Sequence, residues 1–499
     1  MPWGGTLRPL KELPPAPSSL GDSEKWRVGV VPQCEGCKGY MNPHVALTRD
    51  AWICCLCSRR NPLPVKYQKE DERALYPELN LDLVEYTLVE KKDTDIKNSE
   101  RGVYVAVIDA TGNQTFNDSV REGLLSAIDE LPECSLFGML TFSDNLGVLN
   151  LLSSYPTITH LPLSSHNPSQ FSVPIDSALP IGQFLVPLQL HKEHIKQSIQ
   201  RIGCSGQYSL HTGRAFGCTL NSLVDCLKSY EDIRNVRILG FISDIPNVGV
   251  GAIPPHKVTK NKENELSPST LFYKELAQKC CECNICIDVF AIKQEDCENI
   301  GLASMRYLST MTGGYLRLYD ESNLQTLAKD VKNQLSCEQG YNAIIKIRTS
   351  SGFSVKEVFG PVIPVNTKSN NIFGIEPSSS TFTVVALDNQ TILSLDFQHD
   401  DFNGFSKSKV YIQVVVGYSK LYKNSGTRNK IRVFTYAIPV VSTIEGIYSS
   451  ADPAMVIYLL TQKIMKSRFE HGIDEAKSLV EDWFAVLLMN YNKLVNYKT

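Results

Sequence analysis

The sequence contains no stretch of eighteen consecutive apolar residues, and no apolar segment with a basic start opens it. The first absence argues against a transmembrane helix, and the second against a secretory signal peptide. The common enzyme signatures G-x4-G-K-[ST], H-E-x2-H and G-x-S-x-G are also missing. We therefore expect a soluble, cytoplasmic chain that is not itself an enzyme.

The charge is not dominated by either sign. Lys and Arg number 50, Asp and Glu number 53, and the net charge is −3. Such a chain is not attracted as a whole to nucleic acid or to an anionic membrane, so any such contact must be local. A length of 499 residues predicts several domains, and 42% hydrophobic residues suffice for their cores. The 15 cysteines of a cytoplasmic chain indicate thiols and a metal site rather than disulfides.

Two cysteine pairs near the N-terminus form the most specific motif. Each pair has the spacing C-x2-C, and sixteen residues separate the pairs. Such turns can place four thiolates around one tetrahedral Zn²⁺ ion, and a site filled by four protein ligands has no open position for catalysis. We predict a structural zinc ribbon at residues 32–66, with Cys55 packing beside the site. The predicted ligands are Cys34, Cys37, Cys54 and Cys57.

The central part of the sequence opens with a buried strand. Segment 102–111, GVYVAVIDAT, has six apolar or aromatic residues in a row before Asp109, which is typical of a strand covered on both faces. A helix capped by Asn117 or Asp118 is predicted next. Strand and helix patterns then alternate to about residue 336, which predicts a mostly parallel, doubly wound sheet. Long loops are expected at 155–187 and 254–268.

The pattern changes after about residue 337. Short apolar segments separated by turn residues, such as AIIKIRTS, TFTVVALD and KVYIQVVVGY, predict an antiparallel β-sandwich. Asp452 and Pro453 then form a cap and first-turn pair that opens a helix to about Phe469. A second helix is predicted from Asp474 to Leu494.

Two aspartates end strands of the predicted parallel sheet. Asp109 follows the first buried strand, and Asp244 follows the strand VRILGFIS. The stretch DATGN at 109–113 resembles a degraded metal-adhesion site of von Willebrand A-type domains, in which oxygen ligands hold Mg²⁺. The second hydroxyl of that motif is missing, so the alternative is that both aspartates cap helices or turns.

A second cysteine cluster, CCECNIC, occupies residues 280–286. Cys283 and Cys286 have the C-x2-C spacing of redox sites, which would make the chain a thiol oxidoreductase. Four thiols within seven residues cannot easily surround one tetrahedral ion, and Cys286 begins an apolar strand where a small buried side chain is expected. We favour buried thiols.

The most one-sided charge lies between residues 407 and 432, a stretch without any acidic residue. Apolar runs flank KLYKNSGTRN, so this stretch predicts a β-hairpin with a basic tip. The cations either protect a sheet edge or contact an anionic membrane or an acidic partner. The residues are Lys407, Lys409, Lys420, Lys423, Arg428, Lys430 and Arg432.

The order of these parts resembles that of the inner coat subunits of COPII vesicles. The motifs that carry the resemblance are Asn42-Pro43 and WICCLCSRRNPLPVKY in the ribbon, GMLTF at 138–142, MTGGY at 311–315 and SGTRNKIRVFTYA at 425–437. Within this family the sequence looks most like the GTPase-activating subunit. The resemblance covers essentially the whole chain at low identity.

The resemblance implies a function in protein transport from the endoplasmic reticulum to the Golgi. It implies a heterodimer with the cargo-adaptor subunit through the trunk, binding to a Sar-type small GTPase, and a peripheral location on COPII vesicles and the endoplasmic reticulum membrane. The activating arginine of the family lies in a gelsolin-like domain after the helical region. The sequence is expected to lack that domain, and no residue here is assigned its role.

The resemblance also gives a domain plan. Residues 1–31 form an N-terminal arm of the sandwich, 32–66 the zinc ribbon, 67–336 the A-type trunk, 337–448 the β-sandwich and 449–499 part of a helical domain. Two other functions stay open: a cargo-adaptor subunit of the same coat, and a nuclear scaffold with an A-type domain and a zinc ribbon. The few basic residues between Cys34 and Asn61, namely Lys38, Arg49, Arg59 and Arg60, argue against nucleic-acid binding.

Overall fold

The N-terminal part of the chain contributes short strands to three different sheets. The computed structural model describes residues 3–13, 31–88, 101–153, 155–163, 172–203, 213–230, 232–254, 267–294, 300–365, 375, 378–400, 404–422 and 426–496. A strand predicted at Lys25–Val31 lies almost wholly outside them. The first strands are β1 (Gly4–Leu7), β2 (Ala46–Leu47), β3 (Ala51–Ile53), β4 (Arg60–Pro62) and β5 (Leu83–Thr87).

The trunk is an eight-stranded sheet with helices on both faces. Its strands are β6 (Val103–Asp109), β7 (Leu136–Phe142), β8 (Asn145–Asn150), β9 (Thr157–Pro162), β10 (Val186–Pro187), β11 (Val236–Ile242), β12 (Ile285–Ile292) and β13 (Leu316–Tyr319). Its helices are α1 (Gln114–Ile128), α2 (Ile175–Ala178), α3 (Ile181–Phe184), α4 (Leu188–Gln200), α5 (Phe216–Lys228), α6 (Phe272–Glu282), α7 (Leu302–Thr312) and α8 (Leu327–Ser336).

The strand order is β13-β12-β11-β6-β7-β8-β9, with β10 paired to β7. The strands from β13 to β7 pair in parallel, and β8, β9 and β10 pair antiparallel. Two apolar clusters cover the two faces of the sheet, which is why the parallel strands are nearly continuous apolar runs; the buried Arg237 of β11 is paired with Asp288 of β12. This confirms the predicted doubly wound trunk.

Two details of the trunk differ from the prediction. The N-cap of α1 is Asn113, whose side chain accepts a hydrogen bond from the Phe116 N–H at 2.8 Å, rather than Asn117 or Asp118. The segment predicted as a long loop at 155–187 contains β9, α2, α3 and β10. Most of the second predicted loop, 255–266, lies outside the described residues.

Among the described residues, nine strands build the sandwich: β1, β5 and seven strands that follow the trunk. These seven are β14 (Gln339–Thr349), β15 (Phe353–Phe359), β16 (Ile363–Pro364), β17 (Thr381–Asp388), β18 (Leu393–His399), β19 (Lys409–Tyr422) and β20 (Gly426–Pro439). A three-stranded sheet has the order β1-β18-β15, and a six-stranded sheet has the order β16-β17-β14-β19-β20-β5. All pairs are antiparallel, as predicted. The range predicted for the trunk, 67–336, therefore needs correction, because β5 is an edge strand of the sandwich.

The MTGGY motif joins the trunk to the sandwich. Gly313 ends α7 with φ of +74°, and a Cβ on it would lie 2.1 Å from the carbonyl oxygen of Ala386 in β17. A Cβ on the next residue, Gly314, would lie 2.0 Å from the carbonyl oxygen of Ile287 in β12. Gly313 is needed because sandwich backbone passes at van der Waals contact, and Gly314 is needed because the backbone of β12 in the trunk itself comes equally close.

We expect Gly313→Ala to lower the free energy of unfolding by about 2 kcal/mol or more, since the added methyl group meets a backbone carbonyl in a left-handed conformation. Urea unfolding followed by circular dichroism measures this change. Gly182→Ala is a matched control, because a Cβ there has no neighbour within 4 Å. Equal stability of the two variants would contradict the close approach.

The C-terminal part is helical. It consists of α9 (Ile444–Ser450), α10 (Pro453–Glu470) and α11 (Ile473–Asn496), and Asp452 caps α10 by accepting from the N–H groups of Ala454 and Met455. Lys463 and Lys466 of α10 pair with Asp396 and Glu357 of the three-stranded sheet. Within the described part of the chain, no helix has both the length and the apolar character needed to cross a bilayer.

Candidate metal centre and basic hairpin

The four predicted zinc ligands lie together. Their sulfur atoms are all within 4.8 Å of one another, with 3.5 Å between Cys34 and Cys57 and 3.6 Å between Cys37 and Cys54. Sulfurs bound at about 2.3 Å to one tetrahedral ion are separated by about 3.8 Å, so this arrangement fits Zn²⁺. No other group of three or more potential ligands occurs among the residues that the structure describes.

Two equivalent turns position the ligands. In the first, the Lys38 N–H donates to the Cys34 carbonyl at 2.9 Å; in the second, the Ser58 N–H donates to the Cys54 carbonyl at 2.9 Å. Lys38 and Ser58 both have positive φ, at 56° and 62°, so the backbone turns back immediately after the second cysteine of each pair. The two C-x2-C pairs therefore build the same knuckle twice, which follows directly from their identical spacing.

The surroundings of Cys34 favour its thiolate. Burial of Cys34 opposes ionisation, but the N–H groups of Cys37 and Gly36 and the Asn61 side chain outweigh it and lower the pKa of Cys34 to about 7. A lowered thiol pKa suits a metal ligand, because zinc binds the thiolate. Burial raises the pKa of the neighbouring Cys55 to about 11, so this residue remains a thiol packed against Asn42.

The ribbon is fixed to the sandwich. The buried Gln413 side chain of β19 accepts from the Tyr40 N–H at 2.7 Å and donates to the Tyr40 carbonyl at 2.9 Å. Arg348 of β14 donates to the Cys37 carbonyl at 3.0 Å. Apolar side chains of the ribbon, including Trp52, share one core with the outer face of the six-stranded sheet. The predicted metal site thus holds together a segment that covers the sandwich.

The two cysteines with redox spacing, Cys283 and Cys286, pack in different apolar clusters. Cys286 is fully buried in β12 beside Tyr341, whereas Cys283 packs against the core on one face of the trunk sheet. Burial raises the pKa of Cys286 to about 12 and also raises the pKa of Cys283. Thiols of this kind are poor nucleophiles, which favours the interpretation as packing residues.

The basic hairpin forms as predicted from β19 and β20, but its cations do not form one surface. Three of them are tied to carboxylates: Arg432 to Glu85 and Glu338, Lys430 to Glu85, and Lys420 to Glu338. Arg432 is only 2% exposed, so its predicted contact with a membrane or an acidic partner is wrong. Lys423 lies outside the described residues.

The exposed cations of the hairpin lie at its two ends. Lys407 and Lys409 are at the start of β19, and Lys407 donates to Ser58 of the ribbon at 2.9 Å. Arg428 is at the other end, where it lies over the ring of Tyr422. Arg428 pairs with Lys420, eleven residues along β19 from Lys409, so roughly 35 Å separate the two ends.

Glu85 is a site residue that the sequence analysis missed. It lies on β5 opposite Arg432 of β20, and its carboxylate also accepts from the Tyr418 hydroxyl at 2.6 Å. Burial alone would raise the pKa of Glu85, but Arg432 and Lys430 outweigh it and hold that pKa at about 2. Arg432 also donates to the carbonyl of Lys11 at 2.8 Å, so the same cluster fastens the N-terminal arm.

Asp109 and Asp244 meet at the carboxyl edge of the trunk sheet, as their strand positions require. The guanidinium group of Arg214 lies between them, at 3.4 Å from an Asp109 oxygen and 3.3 Å from an Asp244 oxygen. Arg214 lies just before α5, and no pattern in the sequence predicts that its side chain reaches this edge of the sheet.

Comparison with known proteins agrees with this architecture. The family models of the Sec23/Sec24 zinc finger, trunk domain and beta-sandwich domain match residues 31–67, 99–336 and 340–441, respectively. The chain is 26% identical to protein transport protein SEC23 D of Arabidopsis thaliana, covering 100% of this chain and 71% of that protein. It is 24% identical to human protein transport protein Sec24B, covering 99% of this chain and 38% of that protein.

The fold is also that of a solved coat protein. The structure of the human COPII-coat protein Sec24c matches with a TM-score of 0.79 at 19% identity, covering 99% of this chain and 65% of that one. The three matched domains cover most of the chain in the order zinc finger, trunk and beta-sandwich, and the four-cysteine cluster fits the structural zinc of such a finger. This chain belongs to the Sec23/Sec24 family.

Proposed function

We propose that the chain is a structural subunit of the COPII coat, which transports proteins from the endoplasmic reticulum to the Golgi. Zinc held by Cys34, Cys37, Cys54 and Cys57 keeps the ribbon folded on the sandwich. The chain pairs with a cargo-adaptor subunit, binds a Sar-type small GTPase and lies peripherally on COPII vesicles and the endoplasmic reticulum membrane. The similarity of all three domains, in order, to coat subunits supports this function.

The packing between the parts supports a scaffold. Hydrogen bonds of Gln413 join the ribbon to the sandwich. At the next junction, Asn342 of β14 donates to Asn235 of the trunk at 2.8 Å, and Gly313 contacts β17. The parts therefore form a continuous platform, which a coat subunit needs in order to hold a membrane-bound GTPase and a second subunit in fixed positions.

Liposome flotation with a GTP-loaded Sar-type GTPase tests this function. We expect the chain to be retained on liposomes with anionic lipids only when the GTPase is present, and GTP hydrolysis to proceed at the rate of the GTPase alone. An unchanged rate is what a scaffold without activating chemistry of its own predicts. Absence of retention would contradict a coat function, and faster hydrolysis would contradict a pure scaffold.

The exposed cations at one end of the hairpin offer a finer test. Replacing both Lys407 and Lys409 by Ala should weaken retention, because each basic residue near an anionic surface contributes about 1 kcal/mol. Lys329→Ala, on the exposed side of α8, is the matched control. Equal retention of all three proteins would show that this end of the hairpin does not face the membrane.

A cargo-adaptor function in the same coat is the second candidate. The similarity to Sec24B across 99% of the chain favours it. Binding of transport-signal peptides to the purified chain would support the adaptor. Salt-dependent binding of duplex DNA would instead support a nuclear scaffold.

A further inference from the structure

The buried carboxylate at the end of β6 already has its acceptor positions filled by the protein. One Asp109 oxygen accepts from the N–H of Thr111 at 2.9 Å and from its hydroxyl at 2.7 Å. The other accepts from the N–H of Ser243 at 3.1 Å and from its hydroxyl at 2.6 Å. A carboxylate oxygen offers about two lone-pair positions, so these four bonds leave little capacity for a metal ion.

The remaining oxygen of the DATGN motif is also engaged. The side-chain oxygen of Asn113 accepts from the Phe116 N–H and caps α1. The hydroxyl groups of Thr111 and Ser243 both direct their hydrogens to Asp109. The polar side chains that resemble a metal-adhesion site therefore form hydrogen bonds with one another and with the backbone.

A fully buried carboxylate still needs a counter-charge, because an isolated charge is costly in the protein interior. Arg214 supplies one: its Nε lies 3.4 Å from Asp109, its Nη1 lies 3.3 Å from Asp244, and its side chain is mostly buried. Asp109 closes β6 and Asp244 follows β11, so the guanidinium group bridges two strand ends, as a divalent cation would.

The main chain of Arg214 is held by the loop that carries Asp244. Its N–H donates to the Asn247 side chain at 2.7 Å, and its carbonyl accepts from the N–H groups of Asn247 and Val248 at 3.1 and 3.3 Å. These three bonds fix the position from which the side chain reaches the two aspartates.

We propose that Arg214 is a built-in cation that takes the place of a divalent ion at the carboxyl edge of the trunk sheet. The carboxyl edge of the trunk sheet therefore keeps the arrangement of an A-type domain, and its stability does not depend on Mg²⁺. This inference concerns the edge of the trunk and does not depend on the proposed coat function.

Thermal unfolding of the full chain, with and without MgCl2, tests the proposal. Ionic strength is matched with NaCl, and chelators are left out because they would remove zinc from the ribbon. We expect the Tm of the wild-type chain to be the same in both buffers. Arg214→Ala should have a lower Tm in the Mg²⁺-free buffer, and MgCl2 should restore part of the loss, because a hydrated Mg²⁺ ion in the place of the guanidinium group offsets the two negative charges without a direct bond to Asp109. Arg234→Ala, an exposed arginine near β11, should behave as wild type.

Three results would overturn the proposal: a rise in the Tm of the wild-type chain with MgCl2, an Arg214→Ala variant as stable as wild type, or a destabilised variant that MgCl2 does not restore. If Arg214→Ala fails to fold, calorimetric titration of the wild-type chain with MgCl2 decides. Stoichiometric binding that is lost in Asp109→Asn would contradict the built-in cation, and no measurable binding to the wild-type chain would support it.

Discussion

Replacing Cys34 and Cys57 by Ser should abolish stoichiometric zinc binding and unfold the ribbon. Structural zinc sites of small domains have apparent binding free energies of about 10–16 kcal/mol, and these energies are also folding energies. The ribbon has only three short strands, β2, β3 and β4, and a small segment of this kind has too little core to fold without its metal. Elemental analysis of the purified chain measures the zinc content directly.

The loss of zinc should also destabilise the sandwich. Trp52 and Met41 of the ribbon pack in one core with Val415 and Ile431 of the six-stranded sheet. Unfolding of the ribbon would expose these strands to water, so limited proteolysis should cut within residues 32–66 and the melting temperature of the whole chain should fall. Cys55→Ser is the matched control, since Cys55 is adjacent to the ligands in sequence but is not one of them. Unchanged zinc content in the double variant would refute the ligand assignment.

Local patterns predicted the parts of the fold that local physics determines. The limits of β12, Ile285–Ile292, equal those of the run ICIDVFAI, because a strand covered on both faces is almost wholly apolar. Its one charged residue, Asp288, is buried and paired with Arg237 of β11. The zinc site followed from spacing alone, since C-x2-C is itself the geometry of a knuckle. The cap of α10 at Asp452 was found because a cap acts within three residues.

Sequence patterns failed where a residue depends on a distant partner. Glu85 is 347 residues from Arg432 in sequence, and nothing near either residue indicates their pairing. The sequence therefore leaves open only whether the seven cations protect a sheet edge or contact a membrane or an acidic partner, whereas in the structure Glu85 of β5 pairs with two of them, Lys430 and Arg432. For the same reason β5 was assigned to the trunk, its neighbour in sequence, rather than to the sandwich.

The apolar run of β19 shows both effects. Val414 and Val416 face the core between the two sandwich sheets, whereas Val415 faces the ribbon. The alternation expected of a half-exposed antiparallel strand is absent because the ribbon covers the second face. The sequence showed the apolar run, but only the structure shows what covers it.

Glu85→Gln should lower the free energy of unfolding by about 3 kcal/mol at neutral pH, because it leaves the buried Arg432 and Lys430 without their shared carboxylate. The matched control is Glu122→Gln, an exposed position on α1. Urea unfolding of the two variants and the wild-type chain measures the difference. A loss for Glu85→Gln no greater than that of the control would show that the cluster does not stabilise the sandwich.

The effect of Glu85→Gln should depend on pH in a defined direction. The pKa of Glu85 is about 2 in the folded chain, below its ordinary value of 4.5, so folding favours the ionised form. Its stabilising contribution is complete above pH 4.5 and is lost as the pH falls toward about 2. The difference in stability between the wild-type chain and Glu85→Gln should therefore be constant near neutral pH and shrink between about pH 4.5 and pH 2. A difference that does not change across this range would mean that Glu85 acts through packing rather than through its charge.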